Sequence, residues 1–205
     1  MSPGDLLRRD NILHKWELTE AELSQIIEQN PSLRGMMFGY VSEFKIRKTW
    51  FEREEFSEVK KPDDHDRSKK GDLSVVYKNK EIRIEVKGLQ TDSVRNTEGD
   101  SWEGNFQCDA SDRRNVILPN GEKLQTTCLQ VGEFDLLAVS LFQFGDRWRF
   151  AFAKNTELPR STYRGYDPQK VQPHLLKTSM KITWPLSPPY YSEPFTLLDQ
   201  IVAEK

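Results

Sequence analysis

The sequence predicts a mixed α/β domain, with a central β-sheet of mixed strand direction flanked by helices and extended by β-hairpins. Three observations predict it. Apolar residues recur at helical spacing between Thr19 and Lys48, residues alternate at period two on both sides of Lys78-Asn79-Lys80, and a long apolar run spans Phe134 to Phe144. The 205 residues, 36% hydrophobic and 30% charged with a net charge of −2, are enough for one ordinary core and too apolar and evenly signed for a disordered chain.

In chain order, Thr19 and Glu22 form a capping-box pattern ahead of Leu23, Ile26 and Ile27, and Asn30-Pro31 ends that helix. A second helix starts near Ser32 and is expected to present Leu33, Met37, Tyr40, Val41 and Phe44 on one apolar face, with Glu43 beside it. The charged stretch from Glu52 to Lys70 reads as an exposed loop around a short strand at Phe56 to Val59. Residues 105–114 are expected to form a helix with Phe106 and Cys108 inward. Val116 to Leu124 reads as a hairpin, because Asn120-Gly121 suits a tight turn with two positive φ angles. Phe134 to Phe144 is expected to be a buried strand, Gly145-Asp146 a turn, Arg147 to Ala153 an alternating strand, and Pro194 to Val202 a final helix.

No run reaches the ~20 apolar residues of a membrane span, and Met1 to Asp10 lacks the basic-then-apolar pattern of a secretory signal. A soluble cytoplasmic protein is the expectation. Cys108 and Cys128 lack Cys-x-x-Cys or His partners, and His14, His65 and His174 lack ligand spacing, so zinc and disulfide frameworks are not indicated.

The chemistry lies in Gly71 to Gly88. If Lys78-Asn79 is the loop, Tyr77 pairs with Lys80 and Asp72 faces Glu85 across the hairpin. Leu73, Val75, Ile82, Ile84 and Val86 then form an apolar face, and Asp72, Glu85 and Lys87 share the other. Adjacent carboxylates repel unless a cation separates them, and Mg²⁺ takes one or two carboxylates plus waters and phosphate oxygens. The Val86 carbonyl offers a backbone ligand. Lys87 is placed to stabilise charge on a phosphate and to orient or deprotonate an attacking water. The alternative is a sheet whose solvent face simply carries charge.

Asp72 followed after twelve residues by Glu85-Val86-Lys87 resembles the Asp…Glu-x-Lys motif of the PD-(D/E)XK nuclease superfamily, with Gly71 where the family name has proline. The order of helix, strand, motif hairpin, helix and strand also resembles that restriction-endonuclease-like core. The resemblance implies Mg²⁺ (with Mn²⁺ able to substitute) held by Asp72, Glu85 and Val86, catalysis by Asp72, Glu85 and Lys87, and a further acid, Glu43, from the first core helix. It divides a single nuclease domain into a helical extension (1–31), a catalytic core (32–153) and a basic, Pro- and aromatic-rich extension (154–205). It further implies a DNA endonuclease of restriction or other defence type, acting as a homodimer, with a cognate DNA methyltransferase encoded nearby as a candidate partner. A repair or RNA-processing nuclease with the same site, and a binding module that keeps the fold without cutting, remain alternatives.

Between Arg147 and Lys181 eight cations stand against Glu157 and Asp167, an excess of six interleaved with Trp148, Tyr163 and Tyr166. Arg147, Arg149, Lys154, Arg160, Arg164 and Lys170 are therefore candidates for nucleic-acid contact, and a solvated mixed surface is the alternative. Gln90 and Gln107 are candidates for phosphate or water contacts, or ordinary surface residues.

Overall fold

The computed structural model describes residues 11–62 and 71–205. Residues 1–10, on which the absence of a leader pattern was read, and residues 63–70 of the charged loop, including His65, lie outside the described residues. Two compact units divide at Val41/Ser42.

In the first unit, α1 (Ile12–Lys15) is capped by Asn11, whose side chain accepts from the Leu13 N–H at 2.9 Å. Helix α2 (Glu20–Gln29) opens on the capping box read from the sequence: Thr19 Oγ1 accepts from Glu22 N at 3.2 Å, and Glu22 Oε2 accepts from Thr19 N at 2.8 Å. Neither helix has a buried residue. Helix α3 (Pro31–Ile46) runs on through a π-helical turn, Arg47–Phe51. Its buried positions are Ser42 and Ile46, whereas Tyr40, Val41 and Phe44 are exposed, so the expected apolar face is not the buried one. Ile46 and, in the π turn that follows it, Phe51 carry the packing instead.

The second unit, from Ser42 onward, is built on a five-stranded sheet in the order β1-β2-β3-β8-β9. Strand β1 (Phe56–Lys60) pairs antiparallel with β2 (Leu73–Tyr77), which pairs antiparallel with β3 (Lys80–Gly88). The hairpin register is the one read from the sequence, with Tyr77 opposite Lys80 and Leu73 opposite Ile84. Lys78 and Asn79 both take positive φ, 47° and 63°, so the tight turn forms without the favoured glycine. Strand β8 (Leu136–Ser140) runs parallel to β3, and β9 (Phe150–Lys154) antiparallel to β8, both buried throughout. The apolar run is thus a shorter strand than Phe134 to Phe144.

The β3–β8 crossover contains no helix over residues 105–114. It holds β4 (Arg95–Glu98), β5 (Ser101–Gln107), β6 (Asp109–Ile117) and β7 (Lys123–Cys128). Strand β5 is central in a three-stranded sheet, between β4 and the distant β10 (Ser179–Trp184). The Asn-, Asp-, Ser- and Cys-containing stretch has weak helix propensity, and pairing of its start with β10, some 75 residues later, and of its remainder with β7 captures it as strand. In the β6–β7 ribbon only Gly121 takes positive φ (86°), because residues 118–122 form a longer loop than a two-residue turn.

One face of the main sheet (Leu73, Val75, Ile82, Ile84, Val86, Leu136, Ala138, Phe150 and Phe152) packs under Ile46, Phe51 and the final helix α4 (Phe195–Glu204). On the other face, Leu137, Val139, Ala151 and Ala153 pack with Phe106, Cys108, Met180 and Ile182 of the second sheet region. That second layer seals β8 and β9, and the β2–β3 half of the same face is left to polar residues. Among the described residues no helix is long and apolar enough to cross a membrane.

Leu136 is fully buried, so Leu136→Ala is expected to lower unfolding free energy by about 2–5 kcal/mol. Ile117→Thr, on an exposed ribbon position, should stay within about 0.5 kcal/mol. Urea denaturation of both variants checks the two values.

Candidate active site

Asp72, Glu85 and Lys87 meet where the sealed half of that sheet face borders the polar half. Gly71, at φ 85°, turns the chain into β2 with its α-hydrogens toward the Ile84 carbonyl, which an added Cβ would approach to 3.0 Å. Asp72 N then donates to Ile84 O at 2.8 Å, and the Asp72 carboxylate accepts from Val86 N at 2.7 Å. The side chain thereby occupies the backbone donor of the residue between the other two.

Glu85 lies opposite Leu137 and Lys87 opposite Val139, so both stand on the face that the second layer covers. Glu85 is only 9% exposed, which is not the environment of a solvated charge. Lys87 Nζ contacts Glu85 Oε1 at 2.6 Å and reaches the Asp109 carbonyl at 3.4 Å. Burial pushes the Glu85 carboxyl up to about 7; Lys87 opposes this, and Asp72 and Glu133 reinforce it. Asp72 is likewise raised by burial, with Lys87 and the Val86 N–H opposing and Glu43 adding to the rise. For Lys87, burial favours the neutral amine, yet the carboxylates of Glu85 and Asp72 outweigh it and hold the ammonium above its ordinary range. In this arrangement Lys87 is held as an ammonium, a donor of hydrogen bonds and positive charge.

Glu43, the acid expected from the first core helix, acts on the Asp72 carboxyl and is paired with Lys61 at 2.7 Å. Val86 is in the site through its amide. Gln90 and Gln107 are brought together, Gln90 Nε2 donating to Gln107 Oε1 at 3.0 Å, and Gln107 reaches Asp109 Oδ2 at 3.3 Å. They extend a polar path from the carbonyl that Lys87 touches.

The basic region is not gathered in the same way. Arg149 forks onto Asp100 at 2.9 and 3.1 Å and lies over Trp184. Lys154 is buried against Glu204, and Arg160 donates to the carbonyls of Leu158 and Thr156. Arg147, Arg164 and Lys170 are exposed.

Sequence reasoning missed Lys61, Cys108, Arg114 and Glu133. Arg114 forks onto Glu133, and both act on Glu85. Cys108, whose thiol burial pushes up to about 12, borders Lys87. No spacing in the sequence marks these residues, since β6 and the segment before β8 meet only in the tertiary fold.

No family model, curated protein or solved structure matches the chain.

With no cation bound, the Glu85 carboxyl holds its proton more tightly folded than unfolded. Its contribution to stability is full below its ordinary value of 4.5 and is lost as pH rises to about 7. Glu85→Gln should therefore flatten the fall in stability between pH 4.5 and 7 relative to the unsubstituted chain, as read by denaturation at several pH values without divalent ions.

Proposed function

We propose that the chain is a Mg²⁺-dependent phosphodiesterase cutting DNA, an endonuclease of restriction or defence type built on a restriction-endonuclease-like core. The carrying observation is the buried cluster itself: two carboxyls raised by burial stand with one ammonium, paired to Glu85, at the border of the sealed half of the sheet face. The mixed sheet supports the core assignment, with β1, β2 and β3 antiparallel and the next strand parallel to β3, although its crossover is strands instead of a helix.

The donor set suits a hard cation. Among the described residues no three His, Cys, Asp or Glu side chains gather into a ready cage, and two carboxylates with the Val86 carbonyl match the sparse protein share that Mg²⁺ accepts. Glu43, a like charge that adds to the rise at Asp72, gives a cation there a further negative neighbour. Mg²⁺ or Mn²⁺, when bound, supplies Lewis acidity toward the phosphate and an acidified water. Asp72 and Glu85 fix where positive charge sits, and the second layer keeps bulk water from Glu85. With Glu85 and Asp72 holding the cation, the Lys87 ammonium would be left to stabilise charge on a phosphate oxygen. As a homodimer, the protein would present one such site to each DNA strand.

Incubation of plasmid DNA with Mg²⁺, Mn²⁺ or EDTA tests this. Cleavage is expected with either cation and not with EDTA, and Asp72→Ala and Lys87→Ala should each slow it by about 10²–10³-fold or more. Glu43→Gln should weaken the metal dependence by about 10–100-fold. Intact plasmid under every condition, with methylated and unmethylated DNA, would overturn the proposal. Mg²⁺ should also raise Tm at pH 8 more than at pH 5.5, because below about 7 the cation must displace the Glu85 proton.

A further inference from the structure

We infer that the β6–β7 ribbon is a reading element that enters the major groove of duplex DNA, an assignment that rests on the DNA substrate proposed above. Pairing of Asn115 with Gln125 and of Ile117 with Lys123 places these four side chains on one face, and all four are exposed. Arg113, also exposed, precedes them in β6. The opposite face is already sealed: Val116, Leu124 and Cys128 pack with Leu175. Nothing in the ribbon's own packing thus requires Ile117, which is 64% exposed.

The outer face has the chemistry of base reading. Asn and Gln can each make two hydrogen bonds to adenine, Arg and Lys address guanine, and an apolar side chain meets the thymine methyl. No acid stands among the paired residues 114–117 and 123–126; Asp112 lies in the bulged stretch and Glu122 in the turn. A two-stranded ribbon is also of a size that the B-form major groove admits.

Covalent continuity joins this face to the site. Strand β6 begins at Asp109, whose carbonyl accepts from Lys87, and its Arg114 acts on Glu85 through the pair with Glu133. From Asp109 to Asn115 the strand spans about 20 Å at most, roughly six base-pair steps along a duplex. Bases would thus be read several pairs from the phosphate at Lys87.

The test is selection from a pool of duplexes with a randomised core by the full chain, with Ca²⁺ replacing Mg²⁺ to keep DNA intact. Enrichment of a defined sequence is expected. Asn115→Ala with Gln125→Ala should lose preference at one or two base pairs and bind the selected duplex about tenfold or more weakly, with Tm unchanged. Asn115→Asp, which adds repulsion at an exposed position, should weaken it further. Unaltered preference and affinity in these variants would overturn the inference. So would absence of duplex binding, or equal binding to the same sequence as duplex RNA, whose major groove is too narrow for a ribbon. Ribbon-dependent selection by a protein that cuts nothing with Mg²⁺ or Mn²⁺ would support the ribbon assignment and remove the nuclease proposal alone.

Discussion

The desolvated contact between Glu85 and Lys87, with Asp72 beside it, constrains the rest of the second unit. A charged pair taken out of water does not repay its desolvation unless the geometry around it is well satisfied. The fold meets that requirement from several directions: the Val86 amide holds Asp72, the Asp109 carbonyl faces Lys87, and Lys61 pairs with Glu43. The partners come from β3, β6, the end of α3 and the residue that follows β1, so these segments assemble together around the cluster. The raised carboxyls show that burial outweighs these partners at Asp72 and Glu85.

Topology decides where this cluster can stand. A parallel pair needs a crossover, and here the chain between β3 and β8 folds as strands that lie over β8 and β9. Had a helix covered the whole face, the polar half at β2 and β3 would have been sealed with the rest. The strand-built crossover also delivers β6 to Lys87 and carries the ribbon outward from it, so one segment serves both burial of the site and the surface beside it. Its inner side is as apolar as a core requires, and its outer side is not.

The distribution of cations shows how weak a guide charge excess is by itself. Arg149, Lys154 and Arg160 are engaged in holding turns, the final helix and loop carbonyls. Long side chains with a partly buried stem and a satisfied head are structural as readily as they are functional. Arg147, Arg164 and Lys170 are exposed and stay open to solvent or to phosphate.

The sequence by itself determined the faces of the motif hairpin, because period-two alternation keeps Leu73, Val75, Ile82 and Ile84 together and groups Asp72, Glu85 and Lys87 on the other side even if the register slips by two, and the structure adopts the register of the two-residue loop. It also determined the Thr19 capping box and the place of the final helix, which runs Phe195–Glu204 where the sequence predicts Pro194 to Val202. Only the tertiary structure decided that residues 105–114 are strands, since β5 is captured by the distant β10 and β6 by β7, and that α3 buries Ile46 in place of Phe44, since contacts with the sheet decide which side of the helix is covered. The same holds for the depth of Glu85 and for the approach of Lys61, Arg114 and Glu133. Those depend on contacts between elements with no fixed spacing, and local propensity carries no record of them.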